Sequence, residues 1–186
     1  MDEQTAIRLF FDERTDEAFC ALFVEVYPRA RRYFLVRNVD QMTAEDLAQA
    51  VLFRIHQKAD ELKDRALFYG WLFTIARNEL LQHWRKQQSR IVTVELEPLA
   101  ENFTVEPTGM LQLEFDEWLN FLEPNERELL LLRFVEGLTY EELTVTLGIP
   151  LGTVESRLFH VRKKLLRIAD AQSGKPKASA NSKTSK

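Results

Sequence analysis

Apolar side chains recur every three or four residues along most of this sequence, and no stretch alternates apolar and polar residues with comparable strength. Such spacing places apolar side chains on one face of an α-helix, whereas a half-buried strand needs a period of two. The first half holds two stripes, Phe19, Leu22, Phe23, Val26, Ala30, Tyr33 and Phe34, then Leu47, Val51, Leu52, Ile55, Ala59 and Leu62. Pro28 predicts a kink or local break in the first helix, and Thr43 is the predicted N-cap of the second. The chain is therefore predicted to be all-α.

A third helix, predicted over about residues 67–88, carries two apolar stripes instead of one. They are Phe68, Trp71, Leu72 and Ile75, and Phe73, Leu80, Leu81 and Trp84. A surface helix of a globular protein has a single apolar face. Two faces therefore predict burial on more than one side, or contact of one face with a ligand. Core packing is the favoured role for most of these aromatic side chains, including Trp84.

The second half predicts four shorter helices, over about residues 111–122, 125–136, 140–147 and 153–169. Thr139 and Glu142 have the spacing of a capping box at the start of the third of these, and Gly148 is placed to end it. Pro150 and Gly152 are predicted to fill a tight turn before the last helix. This pair of helices has the dimensions of a helix-turn-helix motif, whose second helix enters the major groove of DNA.

The last helix carries the side chains expected to contact DNA. One side, away from most of its apolar seam, holds Thr153, Ser156, Arg157, His160 and Lys164. Positive charge able to meet phosphates is added by Arg162, Lys163 and Arg167. A generic helix pair with a solvated basic face has the same pattern. The capping box, the glycine stop and the short turn together favour DNA binding.

Charge is distributed in blocks along the chain, which has a formal net charge of −4. Residues 91–126 hold nine acidic side chains and no lysine or arginine, whereas the remainder of the C-terminal part is basic. The predicted organisation is a first domain over 1–90, an extended acidic linker over 91–110, a second domain over 111–170 and a disordered basic tail over 171–186. The alternative is that the acidic charges merely keep a surface soluble.

Several classes of protein are disfavoured. The single cysteine, Cys20, excludes an internal disulfide framework and suits a reducing cytosol. No apolar run reaches the roughly 20 residues of a membrane span, and no secretion signal is present. His56, His83 and His160 lack the spacing of zinc ligands, and no glycine-rich phosphate loop or serine nucleophile motif occurs. We expect a cytoplasmic protein without metal, cofactor, catalytic residues or membrane insertion.

Two sets of motifs resemble one family, the extracytoplasmic-function (ECF, group IV) sigma factors of the bacterial sigma-70 family. The first set is AEDLAQA at 44–50, WLFTIARN at 71–78 and HWRK at 83–86. The second set is LLRFVEGLTYEEL at 131–143 and GIPLGTVESRL at 148–158. They resemble the family's region 2 and region 4, in the family's order. The resemblance implies a region 2 helical bundle and a region 4 helix-turn-helix in a transcription initiation factor without a catalytic centre.

The resemblance also implies roles for individual residues. The clamp helices of core RNA polymerase would contact Asp46, Gln49, Phe53 and Arg54. An unpaired base of the −10 promoter element would lie near Leu62 and Asn78, with phosphates held by Lys63, Arg65, Arg77, Arg85 and Lys86. Extruding a base costs a few kcal/mol, so a pocket and flanking cations are needed. The alternative for Asn78 is a buried amide that satisfies backbone groups.

Region 4 would bind the −35 element through the basic helix, and the segment 125–136 would contact the flap tip of polymerase. The acidic linker would pass toward the active site and the RNA exit of polymerase, and an anti-sigma factor is an expected partner. Ala50 and Glu155 depart from the family pattern, which often has Glu and a basic residue there. A carboxylate at position 155 repels phosphate but can accept from a cytosine amino group. The rival interpretation is a stand-alone helix-turn-helix regulator, which leaves the 71–78 motif unexplained.

Overall fold

A computed structural model describes residues 1–91 and 118–172. Within these ranges the regular structure is helical and no strand occurs, which confirms the predicted all-α class. Most of the acidic linker, most of the predicted helix over 111–122 and most of the basic tail lie outside the described residues. Residues 118–120 are the described part of that helix, and they are helical. The first two residues of the predicted disordered tail, 171 and 172, are described and are helical.

Four helices form the N-terminal half: α1 (Glu3–Glu13), α2 (Asp16–Leu35), α3 (Gln41–Lys58) and α4 (Phe68–Ile91). Single 3₁₀ turns at Ala59–Glu61 and Arg65–Leu67 connect α3 to α4. Side chains cap the first three helices, because Asp2, Thr15 and Asp40 each accept a hydrogen bond from a backbone N–H in the first turn. The core between these helices is aromatic and aliphatic, with Tyr33 and Phe73 fully buried at its centre.

Two local predictions in this half need correction. The prediction of Thr43 as N-cap is wrong: α3 begins at Gln41, and the Asp40 side chain accepts from the backbone N–H of Thr43 at 3.0 Å. Asp and Thr are both good caps, so the pattern could not locate the helix start to within three residues. The second concerns Pro28, where a kink or a local break was predicted: α2 continues through this residue, so the prediction of a break is wrong.

The C-terminal half contains α5 (Pro124–Leu130), a π-helical turn (Leu131–Val135), α6 (Tyr140–Leu147) and α7 (Leu151–Gln172). The predicted capping box is confirmed, since Glu142 N–H donates to the Thr139 hydroxyl and Thr139 N–H donates to the Glu142 carboxylate. Gly148 ends α6 with a φ of 65°, a left-handed conformation that glycine adopts without strain. Helix α7 begins two residues earlier than predicted, so Gly152 lies in its first turn.

The two halves pack directly against each other. Helix α4 packs on α2 and α3, and also against α6 of the C-terminal half. Leu129, Leu132, Leu143 and Val154 belong to the same apolar cluster as the core of the N-terminal helices. Burial of α4 on more than one side is thereby confirmed. Trp84 is an exception: its side chain is 42% exposed, so the preferred assignment of this residue to the core is wrong.

Candidate nucleic-acid interface

Helix α7 presents a polar and basic face to solvent. Val154 and Val161 are buried against the rest of the C-terminal half, which fixes the orientation of the helix. Most of the side chains that were predicted to contact the −35 element are exposed: Glu155, Ser156, Arg157, His160, Arg162 and Lys163. Thr153 is half-buried. A projecting helix with this surface has the geometry that enters a major groove.

The sequence analysis missed an aromatic side chain on this surface. Phe159 is 63% exposed, and its ring lies edge-on to the ring of His160, with 5.7 Å between the ring centroids. An apolar residue beside the reading face can contact the methyl group of thymine. The sequence signal that could have identified Phe159 is its position outside the apolar seam of α7.

Lys164 and Arg162 differ from the rest of the predicted set in their surroundings. Lys164 Nζ lies 2.7 Å from the Glu126 carboxylate, so this lysine is an ion-paired partner of α5. Burial alone raises the pKa of Glu126. Hydrogen bonds from Lys164 and from the backbone N–H of Glu123 have the larger combined effect, so the pKa lies below its ordinary value of 4.5. Arg162 lines an apolar groove of about 330 Å³ on the C-terminal half.

That apolar groove is a separate surface of the C-terminal half. Its lining includes Trp118, Leu130, Phe134, Leu158, Leu165 and Leu166. Phe134 and Leu166 are largely exposed, although large apolar side chains are normally covered. The groove lies beside the segment that was predicted to contact the polymerase flap tip.

A second groove, of about 300 Å³, lies between α3 and α4 of the N-terminal half. Asn78, Arg85 and Trp71 line it, and an ion pair between Arg54 and Glu79 lies within it. Asn78 is exposed, so its alternative role as a buried amide is wrong. A second ion pair in the groove joins Lys58 to Glu61 at 2.8 Å. The groove also offers amide, aromatic and cationic side chains in Asn78, Trp71 and Arg85, which are groups that can bind unpaired nucleotides.

The other residues predicted for the −10 element do not all line this groove. Lys63 and Lys86 are exposed, and Leu62 is half-buried in the connection between α3 and α4. Arg65 is held by α1, because Nη1 lies 2.5 Å from the Asp12 carboxylate. Arg77 lies on the opposite side of α4 and lines a groove at the boundary with the C-terminal half.

Helix α3 presents a row of exposed side chains opposite its buried face. Asp46, Gln49 and Phe53 follow the spacing of one helix face, and Phe53 is 60% exposed. Met42 extends this row by one turn and is 74% exposed, although the sequence analysis did not single it out. Arg54 lies beside the row and is paired with Glu79.

Within 1–91 and 118–172, no group of three or more histidine, cysteine, aspartate or glutamate side chains is placed to bind a metal ion. In the same ranges, none of the helices combines the length and the apolar character that crossing a bilayer requires.

Within the described residues the fold is helical and presents a projecting basic helix, an arrangement typical of helix-turn-helix proteins that bind DNA. Comparison with known proteins makes the assignment specific. The family model described as sigma-70 region 2 matches residues 22–90, and the model described as sigma-70, region 4 matches residues 112–165. The chain is therefore similar to sigma factors over both of its halves.

Curated relatives agree with these matches. The ECF RNA polymerase sigma factor EcfG of Rhodopseudomonas palustris is 31% identical over 140 residues, which cover 74% of this chain and 76% of the relative. The ECF RNA polymerase sigma-E factor of Escherichia coli is 25% identical over 181 residues, covering 89% of this chain and 95% of the relative. The chain belongs to the ECF group of the sigma-70 family and is an RNA polymerase sigma factor. No comparison supports the rival interpretation of a stand-alone regulator.

Solved structures of sigma factors share this fold. The sigma factor RpoE of Bartonella quintana, in complex with the anti-sigma factor NepR, matches with a TM-score of 0.62 and 28% identity, covering 83% of this chain and 98% of the other. The structure of CnrH with the cytosolic domain of CnrY matches with a TM-score of 0.63 at 18% identity, covering 91% and 97% of the two chains, and supports the fold alone.

Proposed function

We propose that this sigma factor divides promoter recognition between α7, which binds the −35 element as duplex, and the α3–α4 groove, which binds the melted −10 element. The observation that carries the proposal is the presence of two separate surfaces, the exposed basic face of α7 and the α3–α4 groove that holds Asn78, Trp71 and Arg85. Duplex and single-stranded DNA require different surfaces, because a helix reads base edges in a groove whereas unpaired bases need a pocket.

For the −35 element, the base-reading residues are Ser156, Arg157 and His160, because their side chains are exposed on one side of α7. Thr153 and Glu155 lie in its first turns, and Lys163 supplies a phosphate contact. Lys164 and Arg162 contribute less, since one is paired with Glu126 and the other lines the apolar groove. Contacts to base edges set specificity, whereas phosphate contacts set position and salt dependence.

For the −10 element, Asn78 is placed to hydrogen-bond an extruded base and Trp71 offers an aromatic surface within the same groove. Arg85 lies at this groove and is available to a phosphate. Leu62, Lys63, Arg65 and Lys86 form the surrounding surface on the loop and along α4. Arg77 is farthest from this role, because it faces the C-terminal half.

For polymerase, the exposed row Asp46, Gln49 and Phe53 on α3, with Arg54 beside it, is the proposed contact with the clamp helices. Met42 extends that contact. The apolar groove around Phe134 is the proposed contact with the flap tip. An exposed aromatic side chain surrounded by polar neighbours is the usual centre of a protein interface.

An anti-sigma factor is a further proposed partner. The related RpoE structure contains the anti-sigma factor NepR, and this chain matches that sigma factor over 98% of its length. We place this sigma factor in the cytoplasm with its polymerase, and we assign it no catalytic centre and no cofactor.

Run-off transcription with core polymerase tests whether α7 and the α3–α4 groove recognise different promoter elements. A promoter library randomised separately at the −35 and −10 elements is transcribed with the wild type, Arg157→Ala and Asn78→Ala. Arg157→Ala should relax preference at −35 positions only, and Asn78→Ala at −10 positions only. Melting, followed by fluorescence of a base analogue in the −10 element, should fail for Asn78→Ala on a promoter that Arg157→Ala still melts. Equal relaxation at both elements by either variant contradicts the proposal.

A further inference from the structure

The last turn of α1 packs beside the α3–α4 connection (residues 59–67, which include both 3₁₀ turns), although α1 lies before the residues that the region 2 model matches. Phe10 and Phe11 are buried. The centroid of the Phe10 ring lies 6.1 Å from that of His56 in the last turn of α3. The centroid of the Phe11 ring lies 6.0 Å from that of Phe68 at the start of α4. One turn of α1 therefore contacts the helix ends on both sides of the connection.

Two ion pairs join α1 to the 3₁₀ turns of the α3–α4 connection. Arg14, which ends α1, donates from Nη2 to Asp60 Oδ1 at 3.0 Å. Arg65 donates from Nη1 to the Asp12 carboxylate at 2.5 Å and from Nη2 to the main-chain carbonyl of Phe11 at 3.3 Å. Asp60 lies in the first turn and Arg65 in the second. The two pairs are exposed, so each is weak alone, but together they attach the connection to α1 at two points.

Arg14 has an unusual backbone conformation for its residue type. Its φ is 55°, in the left-handed region where helix ends usually place glycine. Its guanidinium lies 5.2 Å from the centroid of the Phe10 ring and 5.0 Å from that of Phe11. Glycine would end the helix with less strain, but it would supply neither a cation over these rings nor the ion pair with Asp60. The strained position therefore indicates that the side chain of Arg14 is used.

The α3–α4 connection contributes to the groove that is proposed to bind the −10 element. Glu61 lines that groove with Asn78, and Lys58 pairs with Glu61 at 2.8 Å. The preceding residue, Asp60, pairs instead with Arg14 of α1. Adjacent residues of one 3₁₀ turn thus meet the groove and α1. Movement of this turn relative to α1 would move Glu61 relative to Asn78, because Asn78 belongs to α4, which packs on α2 and α3.

We propose that α1 holds the α3–α4 connection in one position relative to Asn78, and that base discrimination at the −10 element depends on this position. Asp12 and Arg14 are positioning residues: they act through their partners on the connection and do not contact DNA. The inference rests on the proposed role of the α3–α4 groove in binding the −10 element. A connection that is ordered before DNA binds loses less conformational entropy on binding, and it keeps the groove in one shape.

Hydrogen exchange of backbone amides tests the positioning in the free full-length chain, without DNA or polymerase. Arg14→Gly removes the side chain and supplies the residue that best tolerates the left-handed helix end. Exchange in residues 59–67 should become about two- to fivefold faster, which is the effect expected for the loss of one exposed ion pair. Arg14→Lys keeps a cation within reach of Asp60 and should restore the wild-type rates.

Arg8→Ala is the matched control, because it removes another exposed arginine of α1, more than one turn before Arg14. It should leave exchange in residues 59–67 as in the wild type. Unchanged exchange there in Arg14→Gly would overturn the inference. A uniform increase throughout α2, α3 and α4 would also overturn it, because Arg14 would then stabilise the whole N-terminal half and not position the connection.

Run-off transcription with core polymerase measures the consequence for promoter recognition. On a promoter library randomised at the −10 element, Arg14→Gly should reduce base discrimination by about two- to fivefold, in line with the change in exchange. Arg14→Lys and Arg8→Ala should discriminate as the wild type does. Binding to an isolated −35 duplex should be the same in all four proteins.

Asn78→Ala separates this inference from the proposed function. Relaxed −10 preference in Asn78→Ala, together with wild-type preference in Arg14→Gly, would overturn the inference and leave the proposed function standing. Wild-type preference in Asn78→Ala would instead contradict the proposed function, and the exchange rates would still decide whether α1 positions the connection.

Discussion

The buried carboxylate of Glu136 lies 2.9 Å from the guanidinium of Arg32, and this ion pair joins two residues that are 104 positions apart in sequence. Arg29 adds a hydrogen bond to the carbonyl of Glu136. Removing the charge of Glu136 leaves Arg32 without its carboxylate partner, whereas Arg29 still pairs with Glu3 at 3.5 Å. Breaking an ion pair with a buried carboxylate is more costly than losing a surface ion pair.

Glu136→Gln should therefore lower the free energy of unfolding by about 2 kcal/mol, since the buried ion pair is broken while a hydrogen bond to Arg32 remains possible. Urea unfolding followed by far-ultraviolet circular dichroism measures the change. Glu13→Gln, at an exposed position, is the control and should shift stability by less than about 0.5 kcal/mol. Equal effects of the two substitutions would contradict the role of the buried pair.

Asp40 should give α3 a stability that depends on pH. The side-chain and backbone hydrogen bonds of Thr43 hold the pKa of Asp40 below its ordinary value of 3.8. The carboxylate is thus favoured in the folded state, and its contribution is present above 3.8 and lost as pH falls through the lowered folded value.

Asp40→Ala should cost about 1 kcal/mol at neutral pH, because it removes the N-cap. Asp40→Asn should keep most of the cap but lose this part of the acid dependence. Thermal unfolding from neutral pH to below the ordinary pKa of Asp40 checks both. A steep acid loss in Asp40→Asn equal to that of the wild type would show that Asp40 is not its source.

Phe53→Ala should weaken binding to core polymerase by about tenfold without loss of stability, since exposed aromatic anchors dominate interface energies. Val24 is the matched control: it is also apolar and largely exposed, but it lies on α2. Val24→Ala should bind as the wild type does. The measurement is a fluorescence titration of labelled sigma factor with core polymerase, and equal affinities of the two variants would remove α3 from the interface.

The fold was largely predictable because its signals are local. The stripes of α2 and α3 and the capping box at Thr139 and Glu142 depend on residues three or four positions apart, and the structure confirms them. The exposure of Ser156, Arg157 and His160 was predictable in the same way, because these residues lie away from the apolar seam of α7. Helix boundaries were less certain, since Asp40 and Thr43 are chemically equivalent as caps.

The contact between the halves was not predictable by the same means. The pattern showed that α4 is apolar on two sides, but it did not show that α6 covers one of them. From the sequence, Gly70 is simply a residue that destabilises a helix. Only the structure shows that the Glu142 backbone lies too close to leave room for a side chain there. Likewise, the sequence predicts Lys164 as a DNA contact, and only the structure shows that its Nζ lies 2.7 Å from the Glu126 carboxylate. Such pairings are long-range, and a periodicity within one helix carries no information about them.

Glu155 is the position where the reading helix departs from the family pattern, and its side chain is exposed. Glu155→Lys should strengthen binding to the −35 duplex broadly, because a repulsive charge near phosphates becomes attractive. It should also steepen the dependence of affinity on salt, by about one unit in the logarithmic slope for each added phosphate contact. Fluorescence anisotropy across a salt series measures both.

Glu17→Lys makes the same charge change at an exposed position of α2, and it should leave the slope close to that of the wild type. An identical slope in Glu155→Lys and the wild type would place this residue outside the field of the DNA backbone. Discrimination of a cytosine at one −35 position should fall in Glu155→Lys, because the carboxylate is the group able to accept from the cytosine amino group.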